Sequence, residues 1–479
     1  MERVHRLSGV RCERNNIHVG GSVLSCYIPW KQLSSPVTGE SNIVTARVSS
    51  VEELIDALEV ASDIEVTGSL SGMPMITLRP GVRLRGGRLR FGSTGVRLTA
   101  NNRLDNITVI VPEHEVAITN DTSVRDLGRL YLRNVRTGGQ VLLLADGAVA
   151  AGHIEVDNLV VASADLRGRA DRPHAYGVDA CQGAVTIWNR QRDPAVRITA
   201  SLTGISVGTE HTPVRGSGVF LAGSRPGSEP GGTLEVRLLT TGPIYTDGGI
   251  EAGTPDLISA GVFVVCGARA ETVINEGPVT TFGPNDMVLD NWGDVGTWTA
   301  KAPVTSHGPS GIGFVNFGRL GQLDVQAPLT TYGAGARGFN VYDGEMESAR
   351  FQSITTHADG AVGVQVSKDL PVLEVVDGIA TLGGRGTSLV KGMQTELAAI
   401  AVSVLAGGRI GRLIAGGALS TKGDGVTTLD VEGALDAIEV RGAISADGAG
   451  SDAVRVVGEI AGLDQVEVRS EHGHAVVHR

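Results

Sequence analysis

The sequence repeats itself about every 25 residues, and this period constrains the fold more than any other feature. Related segments (PVTTFG, PVTSHG, PLTTYG, SITTHA and looser copies) begin at Pro278, Pro303, Pro328, Ser353, Ile379, Leu419 and Ile444. A fixed period of roughly 20–50 residues is typical of one supersecondary unit stacked many times. Each copy consists of short Val/Ile/Leu/Thr runs broken by glycine, which predicts strands separated by turns. The period therefore predicts an all-β parallel β-helix solenoid in which each repeat forms one coil.

Composition agrees with a thin aliphatic core and excludes several classes of partner. Glycine accounts for 67 of 479 residues and aromatic residues for 4%. The net charge of −11 argues against a nucleic-acid partner, which would need a concentrated basic surface. No run of about 20 apolar residues occurs, so we expect no membrane span.

The N-terminal residues 1–47 show no period and are predicted to form an irregular lead. Their charges precede no apolar core, so no secretory signal is expected. The cysteines do not have the spacing of metal ligands; they are Cys12, Cys26, Cys181 and Cys266. A cytoplasmic protein with no metal site and no cofactor is expected.

A short helix is predicted where the solenoid begins, within the β-helix assigned to residues 48–479. Ser50 and Glu53 form a capping-box pattern that opens a helix over residues 50–61. Its predicted apolar face consists of Leu54, Ile55, Leu58 and Ala61. Such a helix would cover the open apolar end of the first coil.

The helix and the strands after it, including ITLRPGVRLRGG at residues 76–87, carry a family resemblance over residues 48–111. This opening resembles the right-handed, single-stranded β-helix proteins of the pectate-lyase-like superfamily. The resemblance implies a right-handed β-helix and favours carbohydrate chemistry. It transfers no catalytic residue, because the N-T-D and paired D-D motifs of well-known members are absent and the single HGH (472–474) lies in the last coil.

Three consecutive coils are lengthened at the same corner by loops at residues 164–176, 207–217 and 246–259. Loops on a rigid scaffold often carry function. A further insertion at residues 393–407 is expected to be structural, as a short helix or an extra pair of strands. We therefore expect a functional site at the edge where the three loops meet.

Alignment of the middle strand across coils, with strict alternation of faces, predicts an outward stripe of Phe, Asn and Tyr. Two interpretations stay open for this stripe. Inserted loops or a neighbouring subunit cover it, or the stripe lines a groove that binds sugar. An exposed stripe of this kind would also favour a homo-oligomer. The predicted substrate-binding residues are Asp179, Phe263, Asn291, Trp292, Phe314, Asn316, Tyr342, Asp343 and Arg215.

Acidic residues concentrate in and beside the lengthened coils. Glycoside cleavage needs two carboxyl groups about 5–9.5 Å apart, a separation that residues one or two coils apart can reach. The predicted catalytic residues are Asp290, Glu210, His211, Asp247 and Glu251. Asp290 falls in an aliphatic, inward column, so it is either buried in the core or turned outward by a bulge.

These patterns predict a carbohydrate-active enzyme that acts on an oligosaccharide through paired carboxylates in a groove on the β-helix. The reaction would be hydrolysis, elimination or intramolecular glycosyl transfer. Two alternatives stay open at this point: a non-catalytic structural or adhesive solenoid, and an isomerase or cyclase acting on a small metabolite.

Overall fold

Equivalent residues of successive repeats stack on one another in parallel register. The computed structural model describes residues 44–225, 229–390 and 393–479. One column of stacked, buried aliphatic residues runs through Val279, Val304, Leu329, Ile354, Ile379, Leu419 and Ile444. Each of these residues is the first or second residue of one of the repeated segments, such as PVTTFG. The predicted all-β parallel β-helix solenoid is confirmed.

Two faces of each coil contribute to one large parallel sheet, called sheet A. Its strands are Thr45–Val48, Asp63–Val66, Ser69–Met73, Arg83–Arg85, Arg88–Phe91, Arg103–Ile110, Asp126–Gly138, Ala151–Ser163, Arg197–Val207, Val214–Arg215, Thr233–Asp247, Ala268–Asn275, Val279–Thr281, Asp294–Ala300, Val304–Ser306, Arg319–Thr331, Glu345–Thr356, Asp369–Val375, Gly378–Thr381, Arg409–Ala415, Ala418–Thr421, Ala434–Val440, Ile444–Ala446 and Val468–Ser470.

The third face of each coil forms a second parallel sheet, called sheet B. Its strands are Ile76–Thr77, Val96–Leu98, Val116–Asn120, Gln140–Ala145, Gly183–Asn189, Ser217–Ala222, Leu257–Val264, Asp286–Asn291, Ile312–Asn316, Arg337–Val341, Val362–Val366, Val402–Val404, Thr427–Val431, Asp452–Val456 and Val476–His478. Two short strands, His174–Ala175 and Val178–Ala180, pair antiparallel, and the second joins Leu257–Val264.

Outside these sheets, strands Arg385–Val390 and Met393–Ala398 form an antiparallel pair that we call the 385–398 hairpin. The sequence left a helix or a strand pair open for the 393–407 insertion. The structure has a strand pair, and its first strand precedes the predicted insertion. A single 3₁₀ turn spans Leu463–Gln465.

The helix spans Val51–Val60 and packs on the first coil. The Ser50 side chain accepts a hydrogen bond from the Glu53 amide, and the Glu53 carboxylate accepts one from the Ser49 amide at 2.6 Å. Leu54, Ala57 and Leu58 are buried, but Ile55 is 42% exposed. The predicted inward position of Ile55 is therefore wrong, because a helical step of about 100° turns it away from the stripe that includes Leu54 and Leu58.

The first strand begins at Thr45, ahead of the predicted boundary at residue 48. Most of the predicted 1–47 lead, with Cys12 and Cys26, lies outside the described residues. Cys181 and Cys266 are buried free thiols. The helices in the described part of the chain are all too short or too polar to cross a membrane.

Candidate functional site

The outward face of sheet B is buried beneath loops of the same chain. Its central column is stacked in parallel register, and each member is fully buried or nearly so: Phe220, Phe263, Asp290, Val315 and Asn340. Trp188, Trp292 and Met287 belong to the same apolar cluster, which is separate from the core inside the coils. The site therefore lies between sheet B and the segments that cover it.

Several faces predicted for the middle strands are wrong. Phe314, predicted to face outward, packs in the core against Trp298 at 5.2 Å between ring centroids. Asn291 and Asn316, also predicted outward, are buried and hydrogen-bonded to each other at 2.8 Å. For Asp290 both an inward and an outward position were left open; the residue faces outward and is fully buried beneath the covering segments.

A one-residue slip in the aligned strands causes these errors. The structure pairs Ile312 with Arg337, whereas the sequence alignment matched Ile312 with Gly338. Strict alternation also fails at Gly338, where two successive residues face the core. A Cβ on Gly338 would point at the Ile354 side chain in the core, and the next residue, Phe339, packs in the core as well. A slip of one residue exchanges the two faces of a strand.

Three segments cover this face. The loop from Ala164 to Gln182 lies across it, and the Tyr176 hydroxyl donates a hydrogen bond to the Phe317 carbonyl at 3.2 Å. The 385–398 hairpin is anchored by the Leu389 amide, which donates to Ser310 Oγ at 3.0 Å. The loop before Leu257 contributes Pro255. Because the chain covers its own stripe, the observation behind the expected homo-oligomer is removed, and the oligomeric state stays a prediction.

An open groove, called the outer groove, has a volume of about 440 Å³ beside the 164–182 loop. Its aromatic walls are Tyr176, Trp188 and Trp292, with 5.4 Å between the ring centroids of Tyr176 and Trp292. Tyr176 adopts φ of 55°, a left-handed conformation rare for a bulky residue. The loop thus holds an aromatic ring over the groove in a conformation that its own backbone does not favour.

Charged residues flank the outer groove. The Arg190 guanidinium lies 5.0 Å from the Trp188 ring centroid and pairs with Asp171 at 2.9 Å. Arg225 Nη1 lies 3.9 Å from Cys266 Sγ. Burial raises the pKa of the Cys266 thiol, so this sulfur is a poor nucleophile at neutral pH. The groove therefore presents cations beside aromatic rings.

His174 also lines the outer groove, and its Nδ1 lies 2.8 Å from an Asp179 oxygen. Both residues are on the short antiparallel strands of the 164–182 loop. The contact orients the imidazole, as carboxylates do for histidines that bind or transfer protons. The sequence alignment placed Asp179 in a coil strand, but the structure stacks Val185, not Val178, on Val219.

A second, smaller cavity, called the inner cavity, has a volume of about 100 Å³ and lies under the 385–398 hairpin. Tyr176 lines both cavities. Apolar side chains such as Met287, Ile312 and Leu389 form much of the inner wall. One acidic and one basic residue, Asp290 and Arg337, line the same space.

Asp290 is fully buried, and within the described residues neither carboxyl oxygen has a hydrogen-bond partner. Burial raises the pKa of this carboxyl well above its usual range, with a small opposing effect from the Trp292 indole. The carboxyl is therefore protonated under conditions in which an exposed aspartate is ionised. A neutral carboxyl group can donate a hydrogen bond into the cavity.

Arg337 is 3% exposed, and its guanidinium donates to Gln365 Oε1 at 3.1 Å and to Ser388 Oγ at 3.4 Å. Both partners are neutral, and no carboxylate of the described residues lies within 4.0 Å of this group. Burial lowers the pKa of Arg337 to about 10, so the side chain is still cationic at neutral pH. The inner cavity thus contains an uncompensated positive charge.

Sequence reasoning missed Arg337, although a signal was present. The residues stacked with it in the same column of sheet B are apolar, namely Met287, Ile312 and Val362. A lone arginine in an apolar column is the kind of exception that marks a site. Arg337 falls in this apolar column only when Ile312 is paired with Arg337, as in the structure. Trp188, Arg190 and Arg225 were missed because they come together only through the fold.

The other predicted catalytic residues lie away from both cavities. Glu210 and His211 are exposed in a tight turn, Asp247 pairs with Arg215, and Glu251 is exposed in the 246–259 loop. None of them lines the outer groove or the inner cavity. The structure therefore does not gather them around Asp290, and their catalytic roles stay predictions.

The predicted substrate-binding residues are divided among several environments. Trp292 lines the outer groove, Tyr342 lines the inner cavity, and Phe263 is buried beneath the covering loops. Asp343 pairs with Lys368 at 3.1 Å on the surface. Only Trp292 and Tyr342 of this set line a cavity described above, and their role in binding stays a prediction.

No protein-family model, curated protein or solved structure matched this chain. Within the described residues, no three His, Cys, Asp or Glu side chains are grouped so that they could hold a metal ion. A function must therefore be inferred from the two cavities.

Proposed function

We propose that this protein binds a saccharide in the outer groove. One observation carries the proposal: Tyr176, Trp188 and Trp292 present their rings in a groove of about 440 Å³. Aromatic rings pack against the apolar faces of sugar rings, and neighbouring polar groups bond the hydroxyls. The resemblance of residues 48–111 to the pectate-lyase-like superfamily supports a saccharide over other small molecules, as an analogy of fold.

Arg190 and Arg225 favour a saccharide that carries an acidic group. Arg190 is already paired with Asp171, whereas the bond of Arg225 to the Cys266 thiol is weak. A guanidinium beside a groove can bind a carboxylate through two parallel hydrogen bonds. We therefore expect acidic oligosaccharides to bind more tightly than neutral ones of equal length.

The proposal concerns binding and does not extend to bond cleavage. Glycoside hydrolysis requires a second carboxyl group near the first. Among the described residues, Asp290 is the single carboxyl-bearing side chain that lines either cavity. Asp179 stands at the edge of the outer groove through its contact with His174.

Isothermal titration calorimetry with neutral and acidic oligosaccharides tests the proposal, with mass spectrometry of each mixture to detect cleavage. Trp188→Ala and Arg225→Gln should each weaken binding by roughly 10-fold. Arg412→Gln, on the exposed face of sheet A beside Glu439, is the matched control and should bind as the wild type does. The proposal is wrong if no saccharide binds, or if both groove variants bind normally.

A structural solenoid is the second candidate, and a different feature favours it. Four rings stack along one corner of the coils: Phe282, His307, Tyr332 and His357, with 4.5–5.1 Å between successive centroids. This ladder connects consecutive coils and lines neither of the cavities described above. The double variant His307→Ala and Tyr332→Ala removes two rings of the ladder. If no saccharide binds and this variant has a lower melting temperature than the wild type, the structural role is supported.

A further inference from the structure

The buried charge of Arg337 is the strongest unexplained feature of the molecule. Removing a cation from water is unfavourable unless an anion and hydrogen bonds compensate for it. Its bonds to Gln365 and Ser388 use two of five donors, and both acceptors are neutral. The inner cavity lies beside this group.

Asp290 adds an acidic group to the same cavity, and its oxygens have no partner within the described residues. Burial favours the protonated form of this carboxyl by raising its pKa, and in that form it adds a hydrogen-bond donor and no second charge. Arg337 also offers only donors. The cavity therefore requires a ligand rich in acceptors and negatively charged.

From this arrangement we propose that the inner cavity binds the carboxylate group of an organic acid, between the Arg337 guanidinium and the Asp290 carboxyl. A monoanion balances one guanidinium, whereas a phosphate dianion would leave a surplus negative charge in a buried space. The planar guanidinium matches a carboxylate through two parallel bonds. The proposal does not depend on saccharide binding in the outer groove.

The size of the cavity limits what accompanies the carboxylate. Its volume of about 100 Å³ is smaller than a cavity of roughly 150 Å³ that holds benzene, so a whole sugar ring does not fit. Met287, Ile312 and Leu389 suit a short alkyl group. The ligand is either a free acid of about two to four carbons or the acidic end of a larger molecule.

A single side chain, Tyr176, lines both the inner cavity and the outer groove. Its ring contacts the rings of Phe317 and Trp292 at 4.7 and 5.4 Å between centroids. A larger ligand with its body in the outer groove would have to pass this ring to place its carboxylate beside Arg337. A free short acid has no such body and can occupy the inner cavity alone.

The test measures binding of acetate, propanoate, butanoate and glucuronate to the full chain, by calorimetry and by thermal shift. Sodium chloride, sodium phosphate and glucose at equal ionic strength are the comparisons. Binding of the short acids identifies a free acid. Binding of glucuronate alone identifies the acidic end of a sugar if Arg337→Met abolishes it, because glucuronate held in the outer groove would still bind that variant. If neither binds at millimolar concentration, the carboxylate proposal is overturned, whether or not neutral saccharides bind the outer groove.

Variants separate ligand binding from a structural role of Arg337. Arg337→Met should weaken carboxylate binding about 100-fold or more, because it removes the only cation lining the described cavity. Leu389→Trp fills the cavity from the 385–398 hairpin, leaves both polar groups in place, and should also abolish binding. It keeps the test decisive if Arg337→Met fails to fold. Arg412→Gln is the control, and unchanged affinity in Leu389→Trp would overturn the proposal.

Discussion

Asp286 and Asp290 lie on one strand of sheet B, both fully buried, yet their surroundings differ. Asp286 accepts hydrogen bonds from the amides of Gly248 and Gly283 and from Ser259 Oγ, at 2.9, 2.8 and 2.5 Å. Asp290 accepts none from the described residues. Asp286 therefore links the backbone at Gly248 and Gly283 to sheet B by hydrogen bonds. The carboxyl group of Asp290 is available to a ligand.

The hydrogen bonds of Asp286 predict that Asp286→Asn is destabilising. Burial raises the pKa of this carboxyl to about 6, so it is ionised at pH 8 and accepts all three bonds. Asparagine replaces these charge-assisted bonds by weaker neutral ones and requires Ser259 Oγ to accept where it now donates, which should lower the free energy of unfolding by about 1–3 kcal/mol. Urea unfolding at pH 8 measures this, with Asp294→Asn on the surface as a control expected to change it by less than about 0.5 kcal/mol.

Asp290→Asn should have the opposite effect, with a distinct dependence on pH. Because the folded pKa is raised, the folded state binds the proton more tightly than the unfolded state. The resulting stability is complete below the unfolded pKa of about 3.9 and is lost as the pH rises toward the raised folded value. Asparagine removes this dependence and keeps a neutral donor.

Relative to wild type, Asp290→Asn should therefore gain stability above pH 4, by up to about 1.4 kcal/mol per pH unit. Denaturant unfolding of both proteins from pH 4 to pH 8 measures the difference. If the free energies of unfolding of the two proteins change in parallel over this pH range, the carboxyl group of Asp290 titrates normally in the folded state and is not desolvated.

Among the elements, the 385–398 hairpin covers one side of the inner cavity without belonging to the solenoid. Its ends approach each other, since the Ala399 amide donates to the Gly384 carbonyl at 3.0 Å. The strand Val402–Val404 stacks on Val362–Val366 with no hydrogen bond from the hairpin strands. The hairpin is therefore a cover added to a complete coil.

We predict that replacing Arg385–Ala398 by two glycines leaves the β-helix folded and opens the inner cavity. Arg337 loses Ser388 and gains access to water, which relieves the buried charge. Hydrogen exchange should become faster in Asp286–Asn291 and Arg337–Val341, and stay unchanged in Ala434–Val440 of sheet A. Loss of the cooperative unfolding transition would show instead that the hairpin is needed for folding.

At the scale of the whole molecule, each coil contacts mainly its two neighbours in the stack. Leu419 stacks under Ile444 and Leu429 under Val454, so one register relates these coils in both sheets. The stability of such a stack is approximately a sum of coil and interface terms. Coils remote from the two cavities should therefore be removable as units.

Deletion of Leu419–Ala443, which is one whole repeat, brings Ile444 into the position of Leu419 and should yield a folded, shorter solenoid. Deletion of Leu419–Asp430 alone leaves only part of a coil and should prevent folding of the stack, because inward and outward columns no longer match. Circular dichroism and thermal unfolding distinguish the two. Equal behaviour of both deletions would contradict an additive stack.

The sequence by itself determined the solenoid, the short helix at its start and the places where coils lengthen. These features are local, because each repeat carries its own strands and turns and packs only against its neighbours. Asp290 could also be singled out, as an acid among aliphatic residues. Its direction could not, because the sequence alignment matched Met287 with Gly261, whereas the structure pairs Met287 with Ala260.

Only the tertiary structure decided which side chains share a site. The 164–182 loop crosses several coils, so that Tyr176 bonds Phe317, which is 141 residues further along the chain. Likewise the 385–398 hairpin brings Ser388 to Arg337, 51 residues earlier. No repeat encodes these contacts, since they depend on how covering segments pack over sheet B. The period fixed the scaffold, and long-range packing of inserted segments created the groove, the cavity and the buried charge.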